Sequence, residues 1–114
     1  MKNVAEFTIV GRVATIRQFD KVMKVSVASN YPVKKTDGTW GEDTHWNQVT
    51  VFSERWQSTI EAEIGRGDLV EFRGRVRQGS FERDGERVYS TDLIVTRVEL
   101  KAKASQRSRD LEAA

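Results

Sequence analysis

Apolar and polar residues alternate along most of this chain, and the alternation is most regular between Asp68 and Gln78. In an extended strand, the even-numbered residues of this segment share one mainly apolar face: Val70, Phe72, Gly74 and Val76. The odd-numbered residues share the other, charged face: Glu71, Arg73, Arg75 and Arg77. A period of two predicts a β-strand with one buried and one exposed face, and it does not fit an amphipathic helix.

The same period occurs in four further segments, so most of the chain is expected to be β-structure. These segments are Ala5–Arg17, Val22–Asn30, Thr44–Phe52 and Arg87–Leu100. In the last of them, Tyr89, Leu93 and Val95 share one parity. The Asp84-Gly85 pair that precedes it is a strong signal for a hairpin turn.

One segment has helical rather than strand spacing. Ser53 is a favourable N-cap residue, and Trp56, Ile60 and Ile64 recur every four residues before Gly65, which is suited to end a helix. The expected order is therefore strand, strand, strand, helix, strand, strand. This order predicts an all-β fold, a five-stranded oligonucleotide-binding (OB) barrel with one short helix between strands 3 and 4. A sandwich would need more strands, and a parallel sheet would need alternating helices.

Residues 31–43 interrupt the strand pattern. They contain the only proline, Pro32, together with an Asp37-Gly38 pair and a second glycine, Gly41. All of these residues disfavour regular sheet. We expect a long, mobile hairpin arm between the second and third strands.

Composition excludes several classes of function. The chain has 114 residues, which suits one compact domain, and no cysteine, so disulfides and thiolate metal sites are excluded. A single histidine, His45, cannot build a zinc site, and no nucleophile-base pair, phosphate-binding loop or paired carboxylate suggests an enzyme or a cofactor. No segment approaches the ~20 apolar residues of a membrane span, so we expect a soluble, cytoplasmic protein. Because the net charge is only +2, a nucleic-acid site must depend on where basic residues cluster.

Basic residues cluster in two places. Arg73, Arg75 and Arg77 would lie about 6.5 to 7 Å apart along one strand face, close to the spacing of phosphates in an extended nucleic-acid strand. Arginine at all three positions favours phosphate binding or base stacking over a merely solvated face. Lys34 and Lys35, adjacent on the arm, are candidates to close over a bound strand.

Two aromatic residues lie on an unexpected face of the strand Thr44–Phe52. Val49 and Val51 have the parity of core residues, whereas the opposite face carries Trp46, Gln48, Thr50 and Phe52. A merely solvated face has no need of large rings, so Trp46 and Phe52 are candidates for base stacking.

Other aromatic residues are interleaved with the basic ones. Phe81 follows the arginines, and Tyr31 and Trp40 lie at and within the arm. Rings of this kind can stack on bases without reading sequence, although some could instead serve the core or contacts between subunits. We assign three aromatic residues to the core: Phe7, Trp56 and Phe72.

Several segments together resemble the bacterial single-stranded DNA-binding proteins (SSB) over nearly all of residues 4–100. The resemblance rests on FTIVGRV from Phe7, VSVASN from Val25, THWNQVTVF from Thr44, GDLVEFRGRVR from Gly67, and the strand from Tyr89 to Val98. It implies an OB fold, assembled as a homotetramer or a dimer, that binds single-stranded DNA without a cofactor and largely without sequence preference.

By position, the resemblance also implies roles for individual residues. It implies base stacking for Trp46, Phe52 and Phe81, and a DNA-facing position for Arg75 and Arg77. Tyr31 is the nearest candidate for a further stacking residue at the start of the arm.

The C-terminal segment departs from that family. Its members typically continue through a Gly-, Pro- and Gln-rich linker to an acidic tip that recruits partner proteins, and neither is present here. Either recruitment through such a tip is not expected, or the sequence is truncated. We expect an OB domain in residues 1–100 and a short, flexible tail in residues 101–114, which lack an apolar stripe.

The leading hypothesis is a nucleoid-associated protein that binds single-stranded DNA with little sequence preference and protects it in replication, recombination or repair. One alternative is an OB-fold accessory for replication restart or conjugation, whose main contacts are with another protein that covers the aromatic face. An RNA-binding OB domain of the cold-shock kind is disfavoured by the helix and by the absence of closely spaced exposed Phe in a short strand motif.

Overall fold

A computed structural model describes residues 3–104, whose backbone closes into a barrel. The elements are β1 (Glu6–Phe19), β2 (Val22–Lys34), β3 (Trp40–Val51), α1 (Glu54–Glu63), β4 (Leu69–Arg83) and β5 (Glu86–Ala102). The strands follow the order β1-β2-β3-β5-β4, and β4 pairs back to β1. Neighbouring strands are antiparallel except β3 and β5, which meet in parallel at Thr50 and Ile94. The predicted five-stranded OB barrel with one helix between strands 3 and 4 is confirmed.

Side chains of moderate size fill the barrel, and α1 closes one end of it. The largest fully buried side chains are five valines and three larger residues, Met23, Ile60 and Phe72. Ile60 of α1 is fully buried, and Trp56 and Phe7 pack against the same cluster. The core assignments of Phe7, Trp56 and Phe72 are therefore confirmed. Each large apolar side chain buried in this way contributes roughly 1.5 to 3 kcal/mol to folding.

The predicted N-cap of the helix is confirmed, whereas its end differs from the expectation. The Ser53 side chain accepts a hydrogen bond from the backbone N–H of Trp56. The helix ends at Glu63, but the left-handed residue of the following turn is Gly67, with φ of 88°, and not Gly65. That conformation directs the Gly67 N–H to the carbonyl oxygen of Val13, 2.8 Å away, and so fixes the turn to β1.

The irregular arm expected over residues 31–43 is instead a regular β-ribbon. The strands β2 and β3 pair without interruption from Met23 opposite Val51 to Lys34 opposite Trp40. Pro32 lies within this ladder, opposite Glu42. In a two-stranded ribbon, alternate N–H groups point away from the partner strand, so a proline there need not remove a ladder hydrogen bond.

Two hairpins extend beyond the same end of the barrel, because β3 and β5 are parallel and each begins at a hairpin tip. We call them the β2–β3 arm (residues 30–44) and the β4–β5 arm (residues 77–92). The predicted turn of the second arm is confirmed: Asp84 and Gly85 both have positive φ, 52° and 79°, as a two-residue hairpin turn requires.

The last strand extends past its expected end. It continues to Ala102, two residues beyond the expected boundary at residue 100. Of the tail expected over residues 101–114, residues 105–114 lie outside the described residues. No helix within residues 3–104 is both long and apolar enough to cross a membrane.

Asp68 is a buried carboxylate that joins the end of β5 to the turn after α1. It is 2% exposed and accepts hydrogen bonds from the backbone N–H groups of Ala104 and Gly65 and from Lys103 Nζ, at 2.9, 2.8 and 2.9 Å. Burial alone raises the pKa of Asp68, but the hydrogen bonds and the charge of Lys103 outweigh burial and hold the pKa below its ordinary value.

The lowered pKa of Asp68 predicts a stability contribution that depends on pH. Because the folded state favours the carboxylate, this contribution is present above the ordinary pKa of 3.8 and is lost as the pH falls through the lower folded-state value. We expect Asp68→Asn to lower the free energy of unfolding at pH 7 by roughly 1 to 3 kcal/mol. The difference from wild type should shrink below pH 4 in urea denaturation. Asp84→Asn, at the exposed hairpin turn, is the control, and a pH-independent difference for Asp68→Asn would contradict this account.

Gly74 lies at a close approach of β1, β4 and β5. A Cβ at this position would overlap the carbonyl oxygen of Ile94 and lie 2.8 Å from Cε1 of Phe7. We expect Gly74→Ala to lower the free energy of unfolding by about 2 to 3 kcal/mol in chemical denaturation, because backbone on β5 must shift. Gly65→Ala is the matched control, since a Cβ there meets nothing within 4 Å. Equal stability of the two variants would show that the β1–β4–β5 junction is looser than described.

Candidate nucleic-acid interface

The outer face of β3 carries the two aromatic residues predicted to stack on bases. Trp46 is 64% exposed, and Phe52, just after the strand, is 45% exposed. Val49 and Val51 are fully buried, as their parity predicts. Thr50 was expected on the outward face together with Trp46 and Phe52. It is only 5% exposed, because β5 pairs alongside β3 at this residue.

Pairing of β3 with β5 brings the start of the β4–β5 arm next to Phe52. The guanidinium carbon of Arg77 lies 6.0 Å from the centre of the Phe52 ring. Nη2 of the same arginine donates to Oδ2 of Asp92 across the ladder, at 3.2 Å. Arg77 is thus held beside the ring, with its side chain still 57% exposed.

Phe81 continues this surface along the β4–β5 arm. It has the same parity as Arg77 in β4, so the two side chains share a face about 13 Å apart along the strand. The Phe81 ring is 49% exposed. We call the surface formed by Trp46, Phe52, Arg77 and Phe81 the outer aromatic face.

On the β2–β3 arm, Trp40 and Lys34 lie on the same side as Trp46. They are directly opposite each other in the ladder, and the even-numbered residues of β3 share one face. Trp40 is 68% exposed. The arm therefore extends the outer aromatic face by one ring and one ammonium group.

Tyr31 and Lys35 lie on the other side of the same arm. The Tyr31 ring lies against His45, with ring centroids 4.8 Å apart, and His45 Nε2 is 2.9 Å from Oδ2 of Asp43. The Lys35 stem passes over Gly41, where an added Cβ would lie 2.6 Å from its Cε. The structure does not bring these two candidates together with Trp46.

The three arginines of β4, Arg73, Arg75 and Arg77, do not all have the same neighbouring strands. Arg75 and Arg73 lie beside β1, opposite Glu6 and Thr8, while Arg77 lies beyond that pairing. Arg73 Nε is also paired with the carboxylate of Glu71 at 3.1 Å. Arg73 and Arg75 therefore lie between β1 and β5, and Arg77 is the arginine beside Phe52.

Two exposed aromatic residues were missed as candidates from the sequence. Tyr89 has the parity of core residues, yet it is 63% exposed because it lies on the arm, beyond the barrel. Phe19 is 51% exposed at the end of β1. The signal for Tyr89 is its closeness to the turn at Asp84-Gly85, which places it in the ribbon and not in the barrel. No three His, Asp or Glu side chains in the described part of the chain lie close enough together to hold a metal ion.

The chain is similar to proteins whose names refer to single-stranded DNA. Residues 4–101 match the model of the single-strand binding protein family. The mitochondrial single-stranded DNA-binding protein of Drosophila melanogaster is 28% identical over 99 residues, which cover 82% of this chain and 68% of that protein.

Solved structures of similar proteins have the same fold. A Plasmodium falciparum SSB in complex with single-stranded DNA matches with a TM-score of 0.69 at 19% identity, covering 90% of this chain and 97% of that one. The mitochondrial single-stranded DNA-binding protein Rim1 of S. cerevisiae matches with a TM-score of 0.68 at 24% identity, covering 89% and 98%.

Proposed function

The chain belongs to the single-strand binding protein family, and we propose that it binds single-stranded DNA with little sequence preference through its outer aromatic face. The observation that carries this proposal is the exposure of Trp46, Phe52 and Phe81 on one surface, with Arg77 held beside Phe52. Stacking on exposed rings is sequence-tolerant because every base has a π-face, and a guanidinium group beside a ring can contact phosphate at the same time.

The other candidate residues have different places in this proposal. Trp40 and Lys34 extend the path along the β2–β3 arm on the same side as Trp46. Tyr31 and Lys35 lie on the opposite side, so they contact the same DNA strand only where it passes around the arm or the arm closes over it.

The remaining arginines are proposed to contact phosphates next to the central rings. Arg75 is opposite Ile94 of β5, which pairs with Thr50 of β3, so a strand bound at Phe52 and Arg77 passes close to Arg75. Arg73 is one step further along β4 and contacts phosphate only if it leaves Glu71.

In the cell, this activity would protect exposed single strands during replication, recombination or repair. We propose that the protein acts at the nucleoid in the cytoplasm, while the Drosophila relative is named as mitochondrial. The proposed function is binding alone and includes no catalytic step.

We also propose that the protein works as a homo-oligomer. A second exposed apolar surface supports this proposal: Val76 and Tyr89 share one face of β4–β5, and Val4 lies beside Val76. These residues are 37%, 63% and 61% exposed. Gln78 and Thr91 separate Val76 from Tyr89 along the ribbon, and a second copy of the chain that docked on this face would cover all three apolar side chains.

Light scattering tests the oligomer. We expect a molar mass that is a multiple of the 13.0 kDa chain, and a lower mass for Tyr89→Glu, because a carboxylate buried between copies would cost free energy. Ser58→Glu, at an exposed position of α1 and not on this face, is the control. A wild-type mass of one chain would contradict this part of the proposal.

Binding to a thymidine oligomer at low salt tests the DNA-binding function. We expect tight binding that weakens as salt is raised, with quenching of tryptophan emission as bases stack on Trp46. Trp46→Ala combined with Phe52→Ala should reduce the binding free energy by about 2 kcal/mol or more, measured by anisotropy of a labelled oligomer.

The matched control removes two exposed apolar side chains away from β3. Val10 and Leu100 are 44% and 38% exposed, and Val10→Ala combined with Leu100→Ala should bind as wild type does. If wild type left both the label anisotropy and the tryptophan emission unchanged, the proposed function would be wrong. Equal loss of binding in both double variants would instead exclude the outer aromatic face as the binding surface.

A further inference from the structure

The row of outward side chains on the β4–β5 arm has a gap at Gly79. Arg77, Gly79 and Phe81 alternate along β4, so they share one face, with the glycine midway between the guanidinium group and the ring. Apart from its own chain neighbours, the described residues bring only two atoms within 4 Å of a Cβ at Gly79. These atoms are Oγ of Ser90 at 3.4 Å and Oδ2 of Asp92 at 3.6 Å. We call the gap bordered by Gly79, Ser90 and Asp92 the Gly79 notch.

The two polar side chains of the notch belong to β5. Ser90 is opposite Gly79 in the ladder and Asp92 is opposite Arg77, so both side chains lie on the outward side. The Ser90 hydroxyl group can donate or accept a hydrogen bond, whereas the Asp92 carboxylate can only accept. The Asp92 side chain is 26% exposed, and Nη2 of Arg77 donates to its Oδ2 at 3.2 Å. The carboxylate is therefore held in place and is still accessible from outside.

The Gly79 notch lies within the outer aromatic face and not at its margin. Phe81 is two residues beyond Gly79, about 6.5 to 7 Å along β4. On the other side of the notch, Arg77 lies 6.0 Å from the centre of the Phe52 ring. A base that stacks on Phe81 can therefore direct one of its edges into the notch.

A carboxylate at this place does not suit a surface that only follows the DNA backbone, because it repels phosphate. It does suit the edge of a base, since carboxylates accept hydrogen bonds from the N4 amino group of cytosine. The pairing edges of bases are accessible in a single strand. Cytosine presents this amino group beside N3, which is an acceptor, and so matches Asp92 beside Ser90. Thymine has the same ring size but presents its O4 oxygen there, which would face the carboxylate with no hydrogen between them.

We propose that the Gly79 notch selects one base of the bound strand, with Asp92 accepting from N4 of cytosine and Ser90 donating to its N3. This inference rests on the proposed function and adds one selective position to a path that otherwise tolerates any sequence. Arg77 keeps the carboxylate in place and contacts phosphate, so its own contribution to binding is the same for all sequences.

Labelled oligomers of deoxycytidine and of thymidine, equal in length, test the selection by anisotropy at neutral pH. The quantity of interest is the ratio of the two association constants, in which the contributions of the phosphates cancel. Asp92→Asn should shift this ratio toward thymidine by about fivefold or more, the lower end of the discrimination that a base-edge contact provides. The reason is that an amide can donate to O4 of thymine as well as accept from cytosine.

A matched control and a second variant separate selection from charge. Glu42→Gln removes one exposed carboxylate from β3, at a position with the parity of Trp46, and should leave the ratio unchanged. Gly79→Ala keeps every charge in place. Its Cβ would lie at ordinary contact distances from Ser90 and Asp92, so the fold should be preserved while access to both polar groups is reduced. The ratio should therefore shift in the same direction as for Asp92→Asn.

The outcomes distinguish this inference from the proposed function. If wild type bound neither oligomer, the proposed function itself would fail. If wild type bound both and Asp92→Asn changed the two affinities by the same factor, Asp92 would act only through its charge, and the selective position alone would be overturned. An equal shift of the ratio in Glu42→Gln would overturn it as well. A shift in Asp92→Asn and Gly79→Ala, with none in Glu42→Gln, is the result that supports it.

Discussion

The narrow interior of a closed five-stranded barrel determines where the large side chains of this protein lie. Valines fill most of that interior, and Phe72 is the only aromatic side chain among the fully buried residues of the described chain. Of the ten aromatic residues, seven are exposed, so packing against the core does not explain them. A chain that needed only to fold would place small polar residues at those positions. Because the barrel interior does not hold these seven aromatic side chains, their rings lie on the surface, where they are available to stack on bases.

The strands of the two arms extend beyond the barrel, so residues that would face the core within the barrel are exposed on the arms. Within the barrel, inward residues such as Val49 are covered by the opposite wall. On the arms the same parity has no wall to face, so Tyr31 lies against His45 and Tyr89 stands in solvent. The arms consequently expose apolar groups on both sides. One side continues the outer aromatic face, and the other is the surface that we propose is covered by another copy of the chain.

The alternation in the sequence was sufficient to predict the strands and the outward position of Trp46 and Phe52, because these depend only on whether neighbouring residues are odd or even in number. The four-residue spacing of apolar residues after Ser53 was sufficient to predict the helix. It could not predict which strands become neighbours in a closed barrel. The burial of Thr50 and the contact between Arg77 and Phe52 both depend on the parallel pairing of β3 with β5, which joins segments far apart in the sequence. The regular ribbon around Pro32 was missed for a different reason, since a proline is tolerated wherever its nitrogen points away from the partner strand.

The helix α1 connects the stability of the barrel to the geometry of the proposed site. Its apolar side buries Ile60 in the core, and its polar side holds the β1–β2 tip and the end of β3 together through Gln57. Phe52 therefore lies where three fixed elements meet, whereas Trp40 lies near the tip of a two-stranded ribbon, opposite Lys34. Rings held by packed elements lose little freedom on binding, and rings on a ribbon lose more. Stacking near Phe52 should thus contribute most of the affinity, with the arm tips adapting to the strand that the centre has already bound.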